Sequence, residues 1–317
     1  MVNIFLFIIN FLIFHVMIIL EMIKIMENSV VYFTKDISPE GLVKLYEKLG
    51  IKLDGKVAVK LHSGEEGNQN YVKPEFVKPI IEFVNGTVVE CNTAYDGARN
   101  STEKHKELIE RHGWSKYFDV DIMDADGEIT LEIPDGHIIK KNYVGRNIEN
   151  YDSMLVLSHF KGHPMGGFGG ALKQLSIGCA SSNGKRYIHC AGKENGSYED
   201  MFNAQQDKFI ESMADAASSI TNLFNDKIAY INMMVNLSVD CDCCRVAEDP
   251  CMKDIGMLAC FDPVAIDQAC IDLIYNSKDE GRDHFVERVE RQHGTHILEA
   301  SANLNIGNRE YELINID

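Results

Sequence analysis

Short apolar runs alternate with amphipathic stretches along most of the chain. "SVVYFT" precedes "PEGLVKLYEKLG", "KVAVKL" precedes "KPEFVKPIIEFV", and "TVVEC" precedes "STEKHKELIERHG". Further on, "SMLVLSHF" precedes "GALKQLSIG", the helical pattern "QDKFIESMADAASSITNLF" leads into "IAYINMMVNL", and "GMLAC" is followed by "DPVAIDQACIDLIYN". The short runs suit buried strands, and the longer stretches with helical periodicity suit helices. Their alternation predicts an α/β fold, a mainly parallel sheet with helices on both faces. From 120 to 150 the pattern changes to "VDIMDADGEITLEIPDGHIIKKNYVG", where Asp-Gly pairs at 126–127 and 135–136 predict short antiparallel strands forming a small flap. The polar stretch from 181 to 207 reads as one long connection, of a kind that is usually functional or disordered.

The first stretch, "MVNIFLFIINFLIFHVMIIL", is nearly all apolar and long enough to span a bilayer. No basic residue precedes it and no small-residue cleavage pattern follows, so it is a poor signal peptide. Two readings stand: residues 1–25 are an anchor with Lys24 on its inner side, or translation starts at Met26, whose "MENSVVYFTKD" opens like an ordinary first strand. We take the second as the expectation. Residues 26–317 then form the α/β domain, as one body or two lobes, and either reading puts it in the cytoplasm.

Composition narrows the partners. With 45% hydrophobic residues in 317, a packed core is available. A net charge of -17 argues against a nucleic-acid backbone, which is held by clustered Lys and Arg. Nine cysteines, an odd number with Cys241, Cys243, Cys244 and Cys251 close together, suit thiolate chemistry in a reducing compartment better than a disulfide framework.

In open α/β sheets, ligands bind beyond the carboxyl ends of the strands. There the sequence delivers His62 with "SGEEGN", Cys91, then His159, Lys161 and His163, then Asp240, Cys241, Cys243 and Cys244, and finally Asp262. The expectation is that His62, His159, His163, Cys241 and Cys243 converge in one cleft. Each residue also has a plainer reading. His62 suits a loop, Glu65 and Glu66 suit solvated turn positions, and Asp262-Pro263 is an ordinary helix start. His159 and His163 cannot be a zinc-protease helical pair, because no helix persists through "KGHPMGG".

The glycines Gly166, Gly167, Gly169 and Gly170 lack the spacing of a P-loop or a dinucleotide fingerprint. Standing before a helix, with Lys161 and Lys173 on either side, they suit a backbone cradle for a carboxylate or phosphate. A tight strand-to-helix turn is the alternative. Cys241 and Cys243 would share a face if their strand continues. With Cys251, or with Cys179, they could supply soft ligands to zinc or to an iron–sulfur cluster. A redox-active pair and inert thiols are the other readings.

The set "VKLHSGEEGN", "KPEFVKPII", "LSHFKGHPMGGFGGALKQLSIGCAS", "DCDC" and "DIGMLACFDPVAIDQACIDLI" resembles the family called domain of unknown function 362, from about Val30 to Tyr275. The resemblance implies a core set of His62, Glu65, Asn68, His159, Lys161, His163, Cys179, His189, Asp240, Cys241 and Cys243. Within it, His62, Glu65, His159, Lys161 and His163 are the candidate catalytic residues, and Cys179, His189, Asp240, Cys241 and Cys243 the candidate ligands of zinc, iron or an iron–sulfur cluster. Members are often labelled iron–sulfur proteins because of a ferredoxin-like insert with repeated Cys-x-x-Cys motifs. Here the corresponding region, 181–207, holds only Cys190. A mononuclear site is therefore expected before a cluster. The functional expectation is a metal- or redox-linked enzyme acting on a small anionic ligand. The alternative is a carrier or sensor that holds a metal or cluster without catalysis.

Overall fold

The computed structural model describes residues 29–317, so the apolar leader and the alternative start at Met26 lie outside the described residues. Eight strands form the main sheet: β1 (Ser29–Thr34), β2 (Val57–Lys60), β3 (Gly86–Glu90), β4 (Val120–Ile122), β7 (Ser153–His159), β10 (Ile228–Met234), β11 (Gly256–Cys260) and β12 (Tyr311–Asn315). Their order is β12-β1-β11-β10-β7-β2-β3-β4. All pairings are parallel except the two made by β11, which runs against both β1 and β10. The expected mainly parallel α/β architecture is thus the one observed.

Alternation within each strand splits the core into two layers. Val57 and Val59 of β2, with Leu155 and Leu157 of β7, pack on one face with helices α1 (Pro39–Glu47) and α2 (Pro74–Phe83). Ala58, Met154 and Val156 point to the other face. Because both faces are covered, the strands read as continuous apolar runs. A slip of one residue would exchange the two faces, which pins the register. Helix α3 (Thr102–Arg111) follows β3.

The flap region forms an antiparallel hairpin of β5 (Glu128–Glu132) and β6 (Lys141–Gly145). A second small hairpin, β8 (Lys161–His163) with β9 (Gly167–Gly169), follows β7. The chain then enters α4 (Ala171–Lys173), which runs into a π-helical turn at Gln174–Gly178. The stretch from 181 to 207 is not an open connection. It contains α5 (Ser182–His189) and the capped short helix α6 (Tyr198–Asn203), and ends as α7 (Gln206–Phe224) begins. Helices α8 (Pro263–Tyr275), α9 (Arg282–Arg291) and α10 (His296–Asn303) complete the fold. Among the described residues, no helix is long and apolar enough to cross a membrane.

The reversed β11 corrects one sequence expectation. Asp262 follows β11 and so lies at the opposite sheet edge, where it meets the start of β1: its Oδ2 accepts from Ser29 Oγ at 2.7 Å. Its Oδ1 accepts from the backbone N–H groups of Val264 and Ala265, the helix cap of the plainer reading.

Candidate functional site

Three neighbouring strands end on charged or titratable residues: β2 on Lys60, β3 on Glu90 and β7 on His159. All three are buried. The segments beyond them enclose a cavity of about 290 Å³. Its polar wall includes Lys60, His62, Glu90, Arg99, Lys173 and Lys185, with His163, His189 and Cys243 beside them. Met165, Ile177, Met201 and Phe202 are among the apolar lining. Helices α5 and α6 supply Lys185, His189, Met201 and Phe202, so the stretch expected to be a connection builds one side of the site.

The cysteine segment is a turn, not a continuing strand. β10 ends at Met234, and the N–H of Cys244 donates to the carbonyl of Cys241 at 2.9 Å. Asn68 fixes this turn, its Nδ2 donating to the carbonyls of Cys241 (3.2 Å) and Cys244 (2.9 Å). Asp242 anchors it from within. Its carboxylate accepts from Lys161 Nζ at 2.7 Å and meets His159 Nδ1 at 2.8 Å. The other nitrogen of His159 faces the carbonyl of Val235 at 2.6 Å, so neither ring nitrogen is free for a ligand. His159 and Lys161 therefore hold the cysteine turn through Asp242. Burial alone would raise the Asp242 pKa, but His159 and Lys161 outweigh it and hold the carboxyl well below the usual carboxylate range.

The turn brings Cys241, Cys243 and His163 together, their ligand-type atoms all within 4.8 Å of one another. Cys241 Sγ receives the Cys243 N–H at 3.4 Å and lies 3.5 Å from Lys173 Nζ. Burial opposes ionisation of Cys241, but hydrogen bonding from Cys243 and the charge of Lys173 outweigh it and pull its thiol well below the ordinary range. Cys243 is pushed the other way, chiefly because it donates to Cys241. Ionisation of the pair is thus favoured at Cys241 and opposed at Cys243. For Lys173, burial favours the neutral amine, yet the neighbouring thiolate raises its pKa.

His163 Nδ1 accepts the N–H groups of Gly166 (2.8 Å) and Met165 (3.2 Å). In the neutral ring the proton consequently sits on Nε2, which faces Cys243 Sγ at 3.8 Å. A metal bound at Nε2 would require a proton on Nδ1, directed at those same N–H groups. A ferredoxin-type cluster is held by four thiolates; here Cys241, Cys243 and one imidazole meet, with the Cys244 thiol beside Cys243. Cys179 is apart, at the end of the π-helical turn, where its carbonyl faces the Cys91 thiol; burial pushes its own thiol up to about 11. Cys251 Sγ faces the carbonyl of Leu237 at 3.3 Å. Asp240 pairs with Arg288 at 2.9 Å. All nine cysteines are free.

Also on the cavity wall, His62 Nδ1 accepts the N–H of Gly64 at 3.0 Å. Burial, reinforced by Arg99, holds the His62 pKa well below that of free histidine. Glu65 is not a solvated turn residue: Arg99 Nε and Tyr95 Oη donate to its Oε2 at 3.1 and 3.0 Å. Glu90 accepts from the Ser63 N–H and meets His105 Nε2 at 2.8 Å. His189 stacks on Phe209 and faces the Lys185 carbonyl with Nδ1 at 2.6 Å; burial lowers its pKa to about 4.

The glycine run has another use than the expected anion cradle. The N–H groups of Ala171 and Leu172, at the helix start, are taken by the Asp267 carboxylate of α8 at 2.8 and 3.0 Å. A Cβ on Gly170 would come within 2.2 Å of that carboxylate. A Cβ on Gly167 would meet the backbone of Gly294 at 2.7 Å. Gly167 and Gly170 thus serve close packing around β9, whereas a Cβ on Gly166 would meet only ordinary contacts at 3.5 Å or more; Lys173 does reach the cavity.

Sequence reasoning passed over Lys60, Glu90, Arg99, Lys185 and Asp242. A signal existed for the first two: a charge ending an otherwise apolar strand, in "KVAVKL" and "TVVEC", has no reason to be buried unless it is used. Arg99 and Lys185 lie in polar stretches that look like any surface.

A mainly parallel sheet with a cavity lined by amines and cysteines at its carboxyl edge defines an α/β protein with a strand-end cavity. The chain belongs to the family described as Domain of unknown function (DUF362), whose sequence profile matches residues 57–272. That span runs from β2 into α8. It is also similar to two solved structures. One is the lactate racemase apoprotein from Thermoanaerobacterium thermosaccharolyticum, at 15% identity over 65% of this chain and 51% of that one, with a TM-score of 0.37. The other is a protein from Thermotoga maritima, at 13% identity over 84% of this chain and 58% of that one, with a TM-score of 0.39. The matches thus span little more than half the length of either protein. No curated protein matches the chain.

Proposed function

We propose that this protein is a cytoplasmic, thiol-dependent enzyme that binds a small anionic ligand in the strand-end cavity and uses the Cys241–Cys243 pair on it. The observation that carries the reading is Lys173 Nζ at 3.5 Å from Cys241 Sγ, behind a cavity whose wall also holds Lys60, Lys185 and Arg99. A thiolate is the reactive form of cysteine, and a neighbouring ammonium populates it at neutral pH. Cationic groups on a largely enclosed wall favour a carboxylate or phosphate over a neutral ligand. A carrier that only holds an ion has no use for those amines.

A second reading keeps the same residues. Two thiols and an imidazole within 4.8 Å are the donors of a mononuclear zinc or iron site with an open position. His163 would have to turn its ring to ligate, and Lys173 would compete as a cation, which is why this reading stands second.

The test is alkylation of the full chain by iodoacetamide at neutral pH, with the sites read by peptide mass spectrometry. Cys243 and Cys241 should react first of the nine thiols, and phosphate or small carboxylates should protect them. Reaction no faster than at Cys251, or no protection by any anion, overturns the proposal. Stoichiometric zinc or iron after anaerobic purification, lost in a Cys241→Ser/Cys243→Ser chain, would favour the second reading.

A further inference from the structure

Lys60 is the last residue of a strand hydrogen-bonded on both sides, to β3 and β7, and its side chain is 2% exposed at the cavity wall. Its ammonium position is unusual. Lys161 is paired with Asp242 and Arg99 with Glu65. Lys60 Nζ instead meets two neutral oxygens, the Leu61 carbonyl at 2.5 Å and Gln174 Oε1 at 3.2 Å. Among the described residues it forms no ion pair. Room for it is kept by Gly178 at the end of the π-helical turn, where a Cβ would lie 3.0 Å from Lys60 Cε and 2.6 Å from Gln174 Oε1.

We propose that Lys60 is an amine nucleophile that forms an imine with a small carbonyl compound bearing a carboxylate, such as an α-keto or α-aldehydo acid. The inference rests on the anionic-ligand reading above and adds the carbonyl as the second recognised group. An amine held against neutral oxygens in a dry, rigid setting, with no carboxylate paired to it, is more readily deprotonated than an ion-paired one. Burial lowers the Lys60 pKa, opposed chiefly by the Glu90 carboxylate, while Lys185 lowers it further. Lys185 lines the same cavity, its Nζ meeting, among the described residues, only the Ala180 carbonyl at 2.5 Å, and is the cation available to the carboxylate. A cavity of about 290 Å³ admits a ligand of a few carbons.

The step is balanced without an oxidant or reductant. The Nζ lone pair attacks the carbonyl carbon, a C–N bond forms, and the carbonyl oxygen leaves as water with both amine protons, leaving C=N. The apolar wall of Met165, Ile177 and Phe202 limits return of water to that bond.

The full chain is incubated with glyoxylate and cyanoborohydride at neutral pH, and the reduced adduct is located by peptide mapping. Lys60 should be labelled saturably and faster than exposed lysines such as Lys116 or Lys208, because burial lowers its pKa and leaves more of the amine unprotonated. Acetaldehyde, which lacks the carboxylate, should label it far less, and Lys60→Arg, which has no primary amine to form an imine, should lose the adduct. Labelling spread evenly over surface lysines overturns the proposal, and because this is read on the unmodified chain it stands even if the variant fails to fold. The two readings fail differently. If glyoxylate protects Cys243 from alkylation but leaves no adduct at Lys60, the imine is wrong and the anion site stands. If acetaldehyde and glyoxylate label Lys60 equally and neither protects Cys243, the carboxylate site is wrong, and with it the ligand class proposed here.

Discussion

Lys173 Nζ lies 3.5 Å from Cys241 Sγ, so the helical turn after β9 and the cysteine turn after β10 meet through one charge pair. Replacing Lys173 with Met should raise the Cys241 thiol toward its ordinary range near 8.5 and slow alkylation at pH 7 by about tenfold or more. In the native chain the rate should hold as pH falls to neutrality and below, dropping only when the lowered thiol pKa is reached. The pH–rate profile of both chains measures the shift, and coincident profiles would show that Lys173 does not tune the thiol.

Acid should unfold this protein through its buried imidazoles. Burial lowers the His189 pKa to about 4 in the fold, against about 6.5 for free histidine. Between those values the unfolded chain binds more protons than the folded one, so stability is intact above pH 6.5 and falls as pH drops toward 4. His189 alone accounts for about 3 kcal/mol over that window, and His62 and His163 act in the same direction. Urea midpoints at pH 7 and pH 5 should differ accordingly, and His189→Phe, which keeps the stack on Phe209, should flatten the difference.

Asp242→Asn removes the charge shared by Lys161 and His159 while nearly preserving shape. An uncompensated buried cation should cost about 3–5 kcal/mol. Chemical denaturation measures this, and the same change should loosen the turn that carries Cys241 and Cys243, seen as faster alkylation of Cys244. A loss below about 1 kcal/mol would mean the cluster is solvated.

Gly170→Ala places a Cβ 2.2 Å from Asp267 Oδ1 and should destabilise by about 1–3 kcal/mol through displacement of the helix-start cap. Gly97→Ala, where the nearest atom is 3.7 Å away, should stay within about 0.5 kcal/mol of the native chain. Thermal unfolding of the two variants compares a packing glycine with an exposed one.

Local pattern was enough for the sheet and its helices because hydrophobic period depends only on neighbours along the chain: "KVAVKL" is a buried strand wherever it is placed. The same pattern located His62, His163 and Cys243 at strand ends, and they do line one cavity. Strand direction is a different matter. Nothing in "GMLAC" says that β11 runs backwards, and that reversal sent Asp262 to the far edge. Which carboxylate fills a helix start is likewise a contact between distant segments, and Asp267, 96 residues from Ala171, took the N–H groups that the glycines alone offered to a ligand. Charge pairing decided the rest. Lys60 and Lys161 sit alike at the ends of apolar runs, yet only the fold gives one a carboxylate and leaves the other against neutral oxygens. Sequence therefore determined the layers and the edge where chemistry gathers. The tertiary structure decided which groups at that edge are neutralised and which remain available, because Coulombic pairing and desolvation depend on distance in space.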